Sequence, residues 1–225
     1  MPPPVHFTPE LFAFLRDLKR HNDREWFAAN KDRYVEHVEA PMLQFIRDVG
    51  DRLPEISSAY RADTRRFGGS LYRIHRDTRF SPDKSPYKTW VAAHFRHRAA
   101  RKDVETPGFY IRIGPGEVFA GGGIYHPSMP TLTRIRQHIV SNSRGWSAVK
   151  QSGAELGGES LKRAPAGFDP ADRFIEDLRR KGFYTGEEFT EADVARAGFI
   201  DRFMGACRNS APLVRFLTVS LALPW

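Results

Sequence analysis

The chain has a single cysteine, Cys207, among its 225 residues. One thiol cannot form an intramolecular disulfide, and nothing here speaks for an oxidising compartment. No apolar run approaches the roughly 20 residues that a bilayer crossing requires. The opening Met1-Pro2-Pro3-Pro4-Val5-His6 has neither the basic start nor the apolar stretch of a secretion signal. The expectation is a cytoplasmic protein with no membrane partner. Metal-ligand spacing is also missing. Of eight scattered histidines only His94 and His97 are close. On a strand these two point to opposite faces, and no cysteine or carboxylate cluster accompanies them, so no metal site is expected. Gly121-Gly122-Gly123 lacks the helix-initiating context of a phosphate loop or dinucleotide fingerprint and reads as a hairpin feature. Tyr125 and His126 stand beside it. There is no internal repeat and no strand–helix–strand alternation. No cofactor and no oligomeric state can be named from the sequence.

What is present is ordinary in bulk and unusual in one place. With 40% hydrophobic and 28% charged residues, the chain has the make-up of a soluble globular protein. Residues 1–225 read as one domain with a substantial core. Between Arg61 and Lys102 lie twelve Lys and Arg against three Asp, a local excess of nine positive charges in a chain whose total is +8. The remainder is close to neutral. A concentrated positive region attracts phosphate, carboxylate, nucleic acid or an acidic protein surface.

Periodicity gives an α+β order: N-terminal helices, a central antiparallel sheet and C-terminal helices. Thr8-Pro9-Glu10 opens a helix with Leu11, Phe14, Leu15 and Leu18 on one face. Asn22 reads as the cap of a second helix, with Glu25 three residues on. Pro41 should break or kink it, and Met42, Phe45, Ile46 and Val49 mark a third helical stretch that closes near Leu53-Pro54. Phe67 to Ile74 reads as a strand ending near His75, and Tyr87 to His97 as a second one after a loop from Asp77 to Pro86. Arg98 to Pro107 is a polar connection. Gly108–Ile113 and Val118–Tyr125 form a hairpin about Gly114-Pro115-Gly116-Glu117. Further helices are expected from Pro127 through Val140, from Asp169-Pro170 to a cap at Gly182, from a Thr190/Asp193 cap through Cys207, and from Ser210/Pro212 through Leu221. Asn142 to Gly158 reads as irregular or a short helix, and Phe183–Phe189 as a short strand.

Three runs carry a family resemblance. They are Asn22-x-x-Glu25-Trp26-Phe27-x-x-Asn30-Lys31-x-x-Tyr34, then Arg73-x-x-Arg76-Asp77-x-Arg79-Phe80-Ser81-x-Asp83-Lys84-x-Pro86-Tyr87-Lys88, then Gly121-Gly122-Gly123-x-Tyr125-x-Pro127. Together they resemble a widespread bacterial and fungal family catalogued as a domain of unknown function (number 2461). The resemblance covers nearly the whole chain, from about Phe7 to about Leu221. It implies one family unit and brings no reaction, substrate or ligand with it.

The central run holds the chemistry. Arginine presents a planar fork suited to phosphate or carboxylate. Arg73, Arg76, Arg79, Lys84, Tyr87 and Lys88 are the candidate ligand-binding residues, and Asp77 or Asp83 the candidate base should there be catalysis. The competing reading is an internal lattice in which Asp77 and Asp83 pin arginines to hold a long loop shut. Five cations against two acids favour an anion from outside the chain. Small-anion binding, with or without a reaction, therefore leads. Nucleic-acid binding follows, because Tyr72, Phe80, Tyr87, Trp90 and Phe95 interleave with the cations. A protein-interaction module for an acidic partner is the third reading. Whether the chain is an enzyme stays open.

Overall fold

The computed structural model describes residues 3–101 and 105–225. Met1, Pro2 and the 102–104 part of the polar connection, including one counted cation, Lys102, lie outside the described residues. Helix α1, Pro9–Arg20, buries Leu11, Phe12, Phe14, Leu15 and Leu18. Helix α2, Arg24–Ala29, is capped by Asp23, whose side chain accepts from the Trp26 N–H at 2.8 Å. Asn22 is thus not the cap, and its side chain serves the loop described below. Helix α3, Lys31–Tyr34, runs into a wide π turn, Val35–Glu39, and then into α4, Ala40–Arg52. Pro41, which lacks an N–H, does not break the helical path: it follows directly on the π turn, which the Ala40 N–H closes to the Val35 carbonyl, and Glu39 and Ala40 before it keep helical angles. A 3₁₀ turn at Leu53–Glu55 closes the helical third.

The sheet has five antiparallel strands in sequence order. They are β1 Tyr60–Arg61, β2 Val91–His97, β3 Gly108–Gly114, β4 Glu117–Ile124 and β5 Phe183–Phe189. The β3–β4 hairpin turns at Gly116 with φ 76°, a left-handed conformation that glycine adopts without strain. Two expected strands are corrected. Phe67 to Ile74 forms no regular strand. Gly68 has φ 74° and Gly69 packs where a Cβ would lie 2.1 Å from the Arg65 carbonyl oxygen, so this stretch folds into a tight turn. Only Ser70 to Tyr72 lie along β2, through Tyr72 N–H to the Ala92 carbonyl at 3.0 Å and His94 N–H to the Ser70 carbonyl at 2.9 Å. The second strand begins at Val91 rather than Tyr87, because Tyr87 and Lys88 pair elsewhere.

Helix α5, Met129–Ser141, and α6, Ser143–Gln151, follow the hairpin. The stretch from Asp169 is mostly turns and yields one short helix, α7, Ile175–Leu178. After β5, Thr190 and Asp193 form a reciprocal capping box, but the helix it starts, α8, is only Glu191–Val194. Gly198, at φ 77°, breaks the path to α9, Phe199–Ser220. Pro212 does not begin a new helix; it lies inside α9. An interior proline costs about 3 kcal/mol or more. Leu213, Val214 and Leu217 continue the buried stripe of Phe203, Met204 and Cys207, and each such side chain returns about 1.5–3 kcal/mol on burial.

Two apolar cores result. The larger gathers Phe14, Phe45, Phe95, Phe109, Ile111 and their neighbours between the N-terminal helices, the sheet and α9. The smaller joins Ile135, Ile139, Trp146, Leu178 and Phe183. Helix α9 supplies Phe203, Met204 and Cys207 to the first and Leu213, Phe216 and Leu217 to the second. Asp177 is buried in the smaller core, where it accepts from Trp146 Nε1 at 2.9 Å and Lys150 Nζ at 3.2 Å. Among the described residues no helix is long and apolar enough to cross a membrane.

Candidate functional site

The Arg73–Lys88 run folds as a short two-stranded arm. His75 pairs with Tyr87, the Arg76 N–H donates to the Pro86 carbonyl, and the Lys88 N–H to the Ile74 carbonyl, both at 2.8 Å. Asn22 anchors the arm from the helical side. Its amide donates to the Tyr87 carbonyl and its oxygen accepts the Tyr87 N–H, each at 3.0 Å. The Tyr87 ring is buried and stacks on Phe27 at 4.1 Å, so this candidate residue spends its ring on the core.

At the tip, charges are largely matched within the arm. Arg79 Nη2 meets Asp77 at 2.7 Å and Nε at 3.0 Å. Arg76 pairs with Asp83, which also accepts the Ser85 N–H at 2.9 Å and the Ser85 hydroxyl at 2.6 Å. Lys84 Nζ donates to the Thr78 carbonyl at 3.0 Å, and Lys88 Nζ to the carbonyls of Arg73 and His75. Arg73 makes no ion pair among the described residues and is exposed. Arg79 holds the Asp77 carboxyl down to about 2. The two Ser85 hydrogen bonds, then Arg76, hold Asp83 far below the usual range. Carboxylates this acidic are weak bases near neutrality. Burial and repulsion from Arg73 lower the Lys88 ammonium.

The arm and the sheet enclose a shallow cleft of about 580 Å³. Lys19, Arg76, Lys88 and Arg112 bring four cations to it, and Asp77 and Asp83 are its acids. Arg73, Arg79 and Lys84 do not line it. Trp90 sits among the cations, with Arg112 4.8 Å and Lys88 5.4 Å from its ring centre. Arg112 also meets Glu117 at 3.0 Å, yet its Nε is buried without a hydrogen-bond partner. Lys19, exposed on the last turn of α1, and Arg112, on β3, were not singled out by sequence reasoning. Only the sheet register and the docking of α1 bring them to the arm.

Arg112 lines a second and larger hollow of about 1030 Å³ on the sheet face that the helices leave open. His94, Tyr72 and Tyr110 look into it. Arg96 Nε donates to His94 Nδ1 at 3.3 Å, which leaves the ring proton on Nε2. Burial and the neighbouring Arg96 charge lower His94 to about 4, so the ring is neutral. Burial, with Tyr72 beside it, pushes the Tyr110 hydroxyl up to about 12. Period-two alternation places His94, Tyr110 and Arg112 on one face, but not which face the helices would take. Among the described residues no three His, Cys, Asp or Glu side chains gather as a metal site.

No curated protein and no solved structure matches the chain. A family model does match, and residues 10–216 place the chain in the family described as a conserved hypothetical protein, DUF2461.

Proposed function

We propose that this protein binds a small anionic ligand, such as a phosphate-bearing one, where the arm cleft meets the sheet at Arg112. The observation that carries the reading is the cation surplus around Trp90. Asp77 and Asp83 are already engaged by Arg79, Arg76 and Ser85, while Lys19 has no ionic partner among the described residues and Arg112, paired with Glu117 through Nη1, keeps a buried Nε without a hydrogen-bond partner. Guanidinium and ammonium donors in a partly desolvated cleft favour an anion over water. Arg76 and Arg79 act in this reading as supports that shape the arm.

The test is thermal unfolding of the wild type, Lys19→Ala, Arg112→Gln and Arg79→Ala with phosphate, sulfate and chloride at matched ionic strength. At a hundredfold excess over Kd a bound anion raises stability by about 2.7 kcal/mol, a shift of roughly 5–10 °C for a chain of this size. The shift should vanish in Lys19→Ala and Arg112→Gln and persist in Arg79→Ala. An equal shift with all anions, or one that survives both cleft variants, refutes the reading. A second reading, single-stranded nucleic acid, is favoured by Phe80, which is 93% exposed at the arm tip with Arg79 5.7 Å from its ring centre. It requires binding to oligonucleotides that is lost in Phe80→Ala and falls steeply with salt.

A further inference from the structure

Among the described residues, helices cover one face of the sheet and leave the other open. Strand pairing puts Gly108 opposite Gly123 and Gly121 opposite Gly186. Neighbouring rings lie over this glycine floor. A Cβ on Gly108 would come 2.4 Å from His94 Nε2, and one on Gly186 2.5 Å from Phe119 Cζ. Side chains on glycine would lift those rings, so the floor stays low and aromatic. Tyr72 and Tyr125 border the hollow, 36% and 72% exposed. The hollow, about 1030 Å³, is at the upper end of the roughly 300–1,000 Å³ of small-molecule sites.

Its polar groups restrict what fits. His94 Nε2–H and the Tyr110 hydroxyl look onto the floor, and Glu188 stands at its border with no ionic partner among the described residues. A hydrocarbon ring would leave them unpaired, whereas a heterocycle with ring nitrogens and exocyclic groups satisfies them. Positive charge stands at both ends: Arg61, Arg96 and Arg101 line the hollow on the Gly108 side, and Arg112 stands toward the arm cleft, where the anion reading places the phosphate. Arg112 is four residues from Gly108 along β3, about 13 Å at strand rise. A phosphate at Arg112, a pentose and a base stacked on the His94 ring that covers Gly108 fill that span.

We infer that the open sheet face is the base-binding half of a mononucleotide site, with the phosphate held at Arg112 and Lys19. The inference rests on the anion reading of the cleft and names the ligand class that reading leaves open.

The experiment is calorimetric titration of the full chain with inorganic phosphate, ribose 5-phosphate, and adenosine and uridine monophosphates. It compares the wild type with Lys19→Ala, Tyr72→Ala and Tyr125→Ala. Both tyrosines are at the border, and far-UV circular dichroism with a melt checks that each variant folds. At least one nucleotide should bind tenfold or more tightly than ribose 5-phosphate. Tyr72→Ala or Tyr125→Ala should remove that advantage and leave phosphate binding as it was, and Lys19→Ala should weaken every ligand. Phosphate binding with no nucleotide advantage overturns the inference and leaves the anion reading standing. Nucleotide binding insensitive to Lys19→Ala, with no phosphate binding, overturns the anion reading and the joined site with it. No binding by any of the four overturns both.

Discussion

Replacing Asn22 by alanine removes a side chain that bonds both backbone groups of Tyr87, a buried residue of the arm. Both hydrogen bonds are 3.0 Å long and partly buried. Alanine leaves a donor and an acceptor on Tyr87 without these partners, at about 1 kcal/mol each for groups that water can still partly reach. The sum, about 2 kcal/mol, corresponds to a melting shift of roughly 4–8 °C at this chain length. The Phe27–Tyr87 stack at 4.1 Å survives the change, so the arm should loosen and not detach. Trypsin cleavage at Arg79 under native conditions should therefore accelerate. Asn22→Asp sharpens the test. The carboxylate still accepts the Tyr87 N–H but opposes the Tyr87 carbonyl instead of donating to it. Its deficit should match or exceed that of alanine at neutral pH and shrink below pH 4, where the protonated acid can donate again. An alanine variant that melts within about 1–2 °C of the wild type, with unchanged cleavage at Arg79, would refute the clamp.

The arm tip should also respond to acid. Asp77 and Asp83 have lowered values when folded, against an ordinary 3.8, so their contribution is complete above about pH 5 and declines as pH falls through 4 toward 2. Native-state proteolysis of the tip between pH 5 and 2.5 should show it, and Asp77→Asn with Asp83→Asn should flatten the dependence. Asp177→Ala should cost about 1–3 kcal/mol by denaturant unfolding, because it leaves the buried Trp146 N–H unpaired, while Lys150, 45% exposed, turns to water. Burial pushes the Cys207 thiol well up, so its reaction with a disulfide reagent should be slow in the native state and should track unfolding as denaturant is added.

The helical ends, the β3–β4 hairpin and the α+β order were legible because each rests on local signals: apolar spacing, Pro at a first turn, Gly116 in a tight turn. What escaped depends on pairing between distant segments. Asn22 carries a helix-cap signature, yet Asp23 beside it fits the cap and leaves Asn22 for Tyr87, 65 residues on. Phe67 to Ile74 alternates like a strand, but the Ser70 N–H donates to the Asp63 carbonyl at 2.7 Å and closes a turn first. Pro212 reads as a helix start until the buried stripe running through it is counted. For the site, the cation-rich run was visible, as was the option that its aspartates pair with its own arginines. Which cations remain for a ligand was not, because Lys19 and Arg112 come from α1 and β3 and the sheet register decides their meeting. The open glycine-floored face is a property of five strands together, and no single stretch announces it.

Helix α9 is one rod of 22 residues, about 33 Å long at helical rise, keyed into both apolar cores. Cooperativity follows from that. Melting the smaller core frees Leu213, Phe216 and Leu217 and lets the C-terminal half fray. The rest of α9 then loses the turns that hold Val214 against Gly122, where a Cβ on the glycine would lie 2.6 Å from the valine methyl. The helix thus links the free energies of the two clusters, as β4 also does through Ala120 in the larger and Ile124 in the smaller. Heat or denaturant should meet one transition, reported alike by the fluorescence of Trp146 in a variant whose other three tryptophans are replaced by phenylalanine and by the sheet signal of the larger core.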